Sequence, residues 1–103
     1  MKKYGNKKSN VVGDLIKEYR EKKNLKKKEL CELLQLHAVY ITSTELKRIE
    51  EGNQILKDFE LIAFCKVLDI DYEELKNTID LAKNNPNLLV ADYPKDMLDT
   101  RTD

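Results

Sequence analysis

Four side chains in the run T-S-T-E-L-K-R-I-E-E-G, Ser43, Thr44, Lys47 and Arg48, have the chemistry to read the edges of base pairs. A hydroxyl bonds several base edges, and a lysine or arginine suits guanine O6/N7 or a backbone phosphate. Their spacing puts all four on the side of a helix opposite Leu46 and Ile49, which face a core. Shortly before them, Lys26, Lys27 and Lys28 open another helical pattern. A helix start already attracts anions, so each lysine there opposes the dipole by about 0.3–1 kcal/mol. A phosphate bound at the free N–H groups relieves that cost, and a solvated lysine cluster is the alternative. Asn53, just past the end of the candidate reading helix, is grouped with these lysines as a phosphate contact.

Other chemistries lack their residues. His37 is the only histidine, which excludes a His-based triad and a multi-histidine metal site. Cys31 and Cys65 lie far apart without C-x-x-C spacing and read as buried free thiols. The glycines are scattered, so no phosphate-cradling loop is present, and the carboxylates have no neighbouring base or nucleophile. Neither an enzyme nor a bound metal or cofactor is expected.

The balanced charge of the chain conceals a polarity. Through Lys28 there are eleven Lys/Arg against three Asp/Glu; from Glu29 onward there are eight against sixteen. This suggests a basic face for an anionic partner with an acidic body behind it, or else two oppositely charged solvated surfaces. No apolar run approaches the ~20 residues that span a bilayer, and no signal peptide is recognisable, so a cytoplasmic location is expected. With 103 residues, 41% hydrophobic and 7% aromatic, the chain has material for one small aliphatic core. Apolar residues recur at helical spacing and not in alternation, which predicts an all-α fold.

The elements follow from periodicity and stop signals. Residues 1–10, with Lys2, Lys3, Lys7 and Lys8, are basic and aperiodic and read as a flexible arm, either touching phosphates or merely solubilising. A first helix is expected at about 11–23, with Val12, Leu15, Ile16 and Tyr19 inward, ending at a left-handed Asn24 after which Leu25 turns in. A second covers about 26–36 with Leu30, Cys31, Leu33 and Leu34 on one stripe. After a connector at 37–41 that Val39 and Ile41 can anchor, Thr42 and Glu45 form a capping box for the third helix, which stops at Gly52. Asp58 is expected to cap a fourth helix at 59–68 carrying Leu61, Ile62, Phe64, Cys65 and Leu68. A fifth, about 72–83, offers Leu75, Ile79 and Leu81 before Pro86 breaks it. The domain is thus read as 11–83, with 84–103 as a tail.

These pieces resemble the Cro/cI-type helix-turn-helix family. LIKEYREKKNL looks like the family's first helix, KKKELCELL its second, TSTELKRIEEG its third, and KDFELIAFCKVLDIDYEEL its closing stretch; together they cover about Val12 to Leu75. The resemblance implies a five-helix domain in which the helix Thr42–Glu51 enters the major groove. It implies a structural salt bridge between Arg20 and Glu50. Three features depart from the pattern: a longer stretch between the second and third helices, Lys27 where Gln is usual, and Glu51 before Gly52. The implied function is sequence-specific binding of double-stranded DNA by a transcriptional regulator, a repressor acting as a homodimer on two half-sites. Leu75, Ile79, Leu81, Leu88, Leu89 and Val90 are the natural dimerisation surface. The alternative is a protein-interaction module of the same fold, an antitoxin or adaptor that holds a protein partner through the acidic second half.

Overall fold

A computed structural model describes residues 8–84, and the chain runs through five helices: α1 (Gly13–Lys22), α2 (Lys27–Gln35), α3 (Ser43–Glu50), α4 (Asp58–Leu68) and α5 (Tyr72–Lys83). No strand occurs among the described residues. The expected all-α architecture is therefore the observed one, with helix ends displaced by a residue or two. None of the helices is long and apolar enough to cross a membrane.

Local rules explain how the chain turns between helices. Asn24, Ala38, Gly52 and Asp69 each adopt positive φ, at 59°, 62°, 80° and 55°. At each of these exits the next N–H reaches back to a carbonyl five residues earlier: Leu25 to Arg20 at 3.1 Å, Val39 to Leu34 at 3.1 Å, Asn53 to Arg48 at 2.8 Å, and Ile70 to Cys65 at 3.1 Å. This satisfies carbonyls that a helix end otherwise leaves bare. In three of the four the following residue then turns inward: Val39 and Ile70 are buried and Leu25 is half-buried. The long α2–α3 connection, residues 36–42, is thus a helix cap with an apolar anchor at Val39, with Ile41 half-buried beyond it.

Leu15 and Ile16 of α1, Leu30, Cys31 and Leu34 of α2, Leu46 and Ile49 of α3, and Ala63, Phe64 and Leu68 of α4 meet in one core, with Val12, Val39 and Ile70 from the connections. The first two helices each pack against both α3 and α4. Tyr19 joins α1 to α5: its hydroxyl donates to Glu74 and accepts from the Asp71 N–H at 3.3 Å, and the bond to Glu74 raises the phenol above its ordinary pKa. Two residues expected inside are exposed: Leu33 and Ile62. On α2 the buried stripe is Leu30, Cys31 and Leu34, and Leu33 lies on its flank. On α4 eight of the eleven positions are apolar, so the periodicity does not single out one face; Leu61, Phe64, Cys65 and Leu68 turn inward and Ile62 outward. Asp58 is also not the cap of α4. It is the first helical residue, and Glu60 supplies the capping carboxylate by accepting from the Lys57 N–H at 2.9 Å.

Candidate nucleic-acid interface

The start of α3 is organised by its own residues. Thr42 Oγ1 accepts from the Glu45 N–H at 3.0 Å, and the Glu45 carboxylate accepts from the Thr42 N–H at 2.8 Å, which is the expected capping box. Leu46 and Ile49 are wholly buried, so Ser43, Thr44, Lys47 and Arg48 stand on the exposed side. Cys31 of α2 lies close behind; burial pushes its thiol pKa up, and a hydrogen-bonding contact with Ser43 pulls it the other way. The small cysteine there lets α2 and α3 come together.

The end of α3 is held by other parts of the chain. Glu50 is buried, and Arg20 of α1 grips it with both prongs of its guanidinium, Nε to Oε2 at 2.6 Å and Nη2 to Oε1 at 3.1 Å. A third arginine nitrogen donates to the Leu25 carbonyl at 2.7 Å. The bond to Glu50 raises the arginine pKa, against the pull of desolvation. Gly13 completes the approach of α1 to α3, since a Cβ there would collide with the carbonyl oxygens of Ile49 and Glu50.

Sequence reasoning missed a clasp on the outer side of this end. Lys8, Ser9 and Asn10, the last three residues of the basic stretch 1–10, lie against α3. The Ser9 N–H donates to the Gly52 carbonyl at 2.7 Å, and the Lys8 ammonium to that of Glu51 at 3.0 Å. The Asn10 amide donates to the carbonyls of Ile49 (3.1 Å) and Gln54 (2.9 Å), while its Oδ1 accepts from the Val12 N–H at 3.0 Å. Asn10 therefore binds the last turn of α3, the following loop and the entry to α1 together. An Asn shortly before a helix is a known local turn signal, but nothing nearby in sequence announces its partners some forty residues away.

The proposed phosphate contacts lie at the start of α2 and just past the end of α3. Lys26 and Lys28 are exposed, Lys27 is half-buried, and Asn53 is exposed just beyond Gly52. The lysines at the start of α2 are already partly offset, because Glu29 lies in the first turn and its carboxylate accepts from the Lys26 N–H at 2.7 Å. Lys27, Lys47 and Asn53 border one shallow surface hollow, together with Glu50 and Glu51. Among the described residues no group of three His, Cys, Asp or Glu side chains is placed to hold a metal ion.

A helix-turn-helix family model matches residues 16–75, more than half of the chain. The protein belongs to the Cro/cI-type (XRE) helix-turn-helix family. Its domain is that of a DNA-binding transcriptional regulator. The matched segment begins in α1, at the buried Ile16, and ends in α5, so it spans the α2–α3 pair, the salt bridge and all of the core except Val12 and Leu15. Comparisons with curated proteins and with solved structures returned no match.

Proposed function

We propose that this family member is a sequence-specific repressor that reads the major groove with Ser43, Thr44, Lys47 and Arg48 of α3 and grips the backbone with Lys26, Lys27, Lys28 and Asn53. The observation that carries this reading is the division of α3: one side is sealed into the core through Leu46 and Ile49 and locked by Arg20–Glu50, and the other presents only polar and basic groups. A reading element needs such a mounting, because base edges reward side chains held in register. The regulator acts in the cytoplasm as a homodimer, whose two reading helices meet half-sites about one DNA turn apart. Leu75 and Ile79 are half-buried and Leu81 is exposed on α5, while Leu88, Leu89 and Val90 lie outside the described residues.

Selection of bound duplexes from a random pool tests the reading, with a palindromic consensus as the expected result. Replacing Ser43, Thr44 and Lys47 by Ala should abolish preference for that consensus and leave the fold intact, since lost base contacts cost about 1–3 kcal/mol each in discrimination. A triple variant that selects the same consensus with the same preference over random DNA would show that α3 is not the reader. The second reading, a module that binds protein, draws on Ile55, Phe59 and Ile62, which are exposed near the start of α4. It predicts no DNA binding that weakens with salt.

A further inference from the structure

The hollow beside α3 is built from more of the chain than the helix-turn-helix pair. Lys8 from the N-terminal clasp and Lys17 from α1 join Lys27, Lys47 and Asn53 around it, with a volume of about 530 Å³. Asp14, Glu50 and Glu51 also border it, but the Glu50 carboxylate is committed to Arg20. Three lysines elsewhere form ion pairs, Lys22 with Glu18 at 3.3 Å, Lys23 with Asp69 at 3.1 Å and Lys76 with Asp80 at 3.8 Å, while others, such as Lys66 on α4, stand alone in solvent. Among the described residues, none of the four lysines at the hollow forms an ion pair, although carboxylates stand nearby. Gathering four ammonium groups that have no carboxylate partner from four separate segments costs repulsion that an anion in their midst removes.

Resting on the DNA-binding reading, we infer that this hollow is a seat for the DNA backbone, in which Lys8 and Lys17 are phosphodiester contacts alongside Lys27 and Asn53. The clasp gives this site its shape. Lys8 is tied by its own N–H-bearing neighbour Ser9 to Gly52 and by its ammonium to the Glu51 carbonyl, so it enters the hollow from the same end of α3 as Asn53. Lys17, one turn into α1 and exposed, faces the hollow from the opposite element. A phosphate there lies beside Lys47, at the boundary between the reading side of α3 and the backbone. The chemistry is that of a phosphodiester anion met by ammonium groups, which carries no sequence information and fixes register.

The test is the salt dependence of binding to a random-sequence duplex, measured for the full chain and for Lys17→Ala, Lys8→Ala, the double variant and Lys66→Ala. Each lost phosphate contact lowers the slope of log K against log salt by about one. The expected result is a slope smaller by about one in Lys17→Ala and by about two in the double variant, restored in Lys17→Arg and unchanged in Lys66→Ala, an exposed lysine on α4 away from the hollow. Because Lys8 also serves the clasp, Lys17 alone decides: an unchanged slope in Lys17→Ala overturns the site while leaving the regulator reading in place. A parent protein that binds no duplex at any salt concentration overturns both.

Discussion

The two ends of α3 are built on opposite plans. Its start depends on a box of two residues from the same segment, Thr42 and Glu45, whose two bonds satisfy local N–H groups and involve nothing else. Its end is fastened by residues thirty or more positions away: Arg20 inside, Asn10, Lys8 and Ser9 outside, and Gly13 in close approach. A helix clamped at one end and capped by its own residues at the other keeps Ser43, Thr44, Lys47 and Arg48 on its exposed side while its axis stays fixed. That is the arrangement a reading element requires, since the side chains near its N-terminus contact base edges and the C-terminal end sets its orientation. Chemistry and rigidity are thus separated along a helix of little more than two turns.

The largest effect expected from breaking this contrast is at the clamped end. Arg20→Ala leaves the buried Glu50 carboxylate without its cation and should cost about 3–5 kcal/mol of folding stability. Urea denaturation measures it directly; a loss below about 1 kcal/mol would place the pair in solvent. Next comes Asn10→Ala, which removes the bonds to Ile49 and Gln54 and the one accepted from Val12. Each is partly buried, and water can replace some of what is lost, so about 1–2 kcal/mol is expected. If Asn10→Ala unfolds at the same urea concentration as the parent, the clasp adds nothing to the clamp.

The contrast also explains what could be read without coordinates. Thr42, Asn24 and Gly52 announce themselves by local rules, because capping boxes and left-handed exits depend on residue types a few positions apart. The Arg20–Glu50 pair was reached through family resemblance, which carries long-range information that spacing does not. The clasp had no such route: Asn10 and Gly13 are explained by the carbonyls of Ile49, Glu50 and Gln54, which no window around them contains. Apolarity alone points Leu33 and Ile62 inward, and on α4 apolar residues lie on more than one face. Lys17 stayed unnoticed as one charge among many until the fold set it beside Lys8 and Lys27.

At the locally built end the expected effect is smaller. Thr42→Ala removes the hydroxyl that accepts from Glu45, a cap exposed to water, and should cost about 1 kcal/mol. Thermal or urea unfolding that shows a loss as large as that of Arg20→Ala would mean that the start of α3 is held by more than its box, and the contrast would fail.

The smallest effect is expected on the approach to α3, and it has the opposite sign. Ala38 sits at φ 62°, in the left-handed region, where the alanine Cβ crowds the backbone by about 1–2 kcal/mol relative to glycine. It is exposed, so its methyl contributes no packing that a substitution would lose. Ala38→Gly therefore relieves the strain, while the glycine loosens the unfolded chain by about 0.4–1 kcal/mol. The two terms oppose each other, and a net gain of about 0.5–1 kcal/mol is expected. Gly52 gives the mirror experiment at the other end of α3: its φ of 80° and the Lys8 side chain lying against it make Gly52→Ala destabilising by about 1–2 kcal/mol. Both are read from urea midpoints at constant m. Gain at 38 with loss at 52 means that both exits hold positive φ in solution. A destabilised Ala38→Gly would show instead that the long connection between α2 and α3 takes another backbone path, and that Val39 is not its anchor.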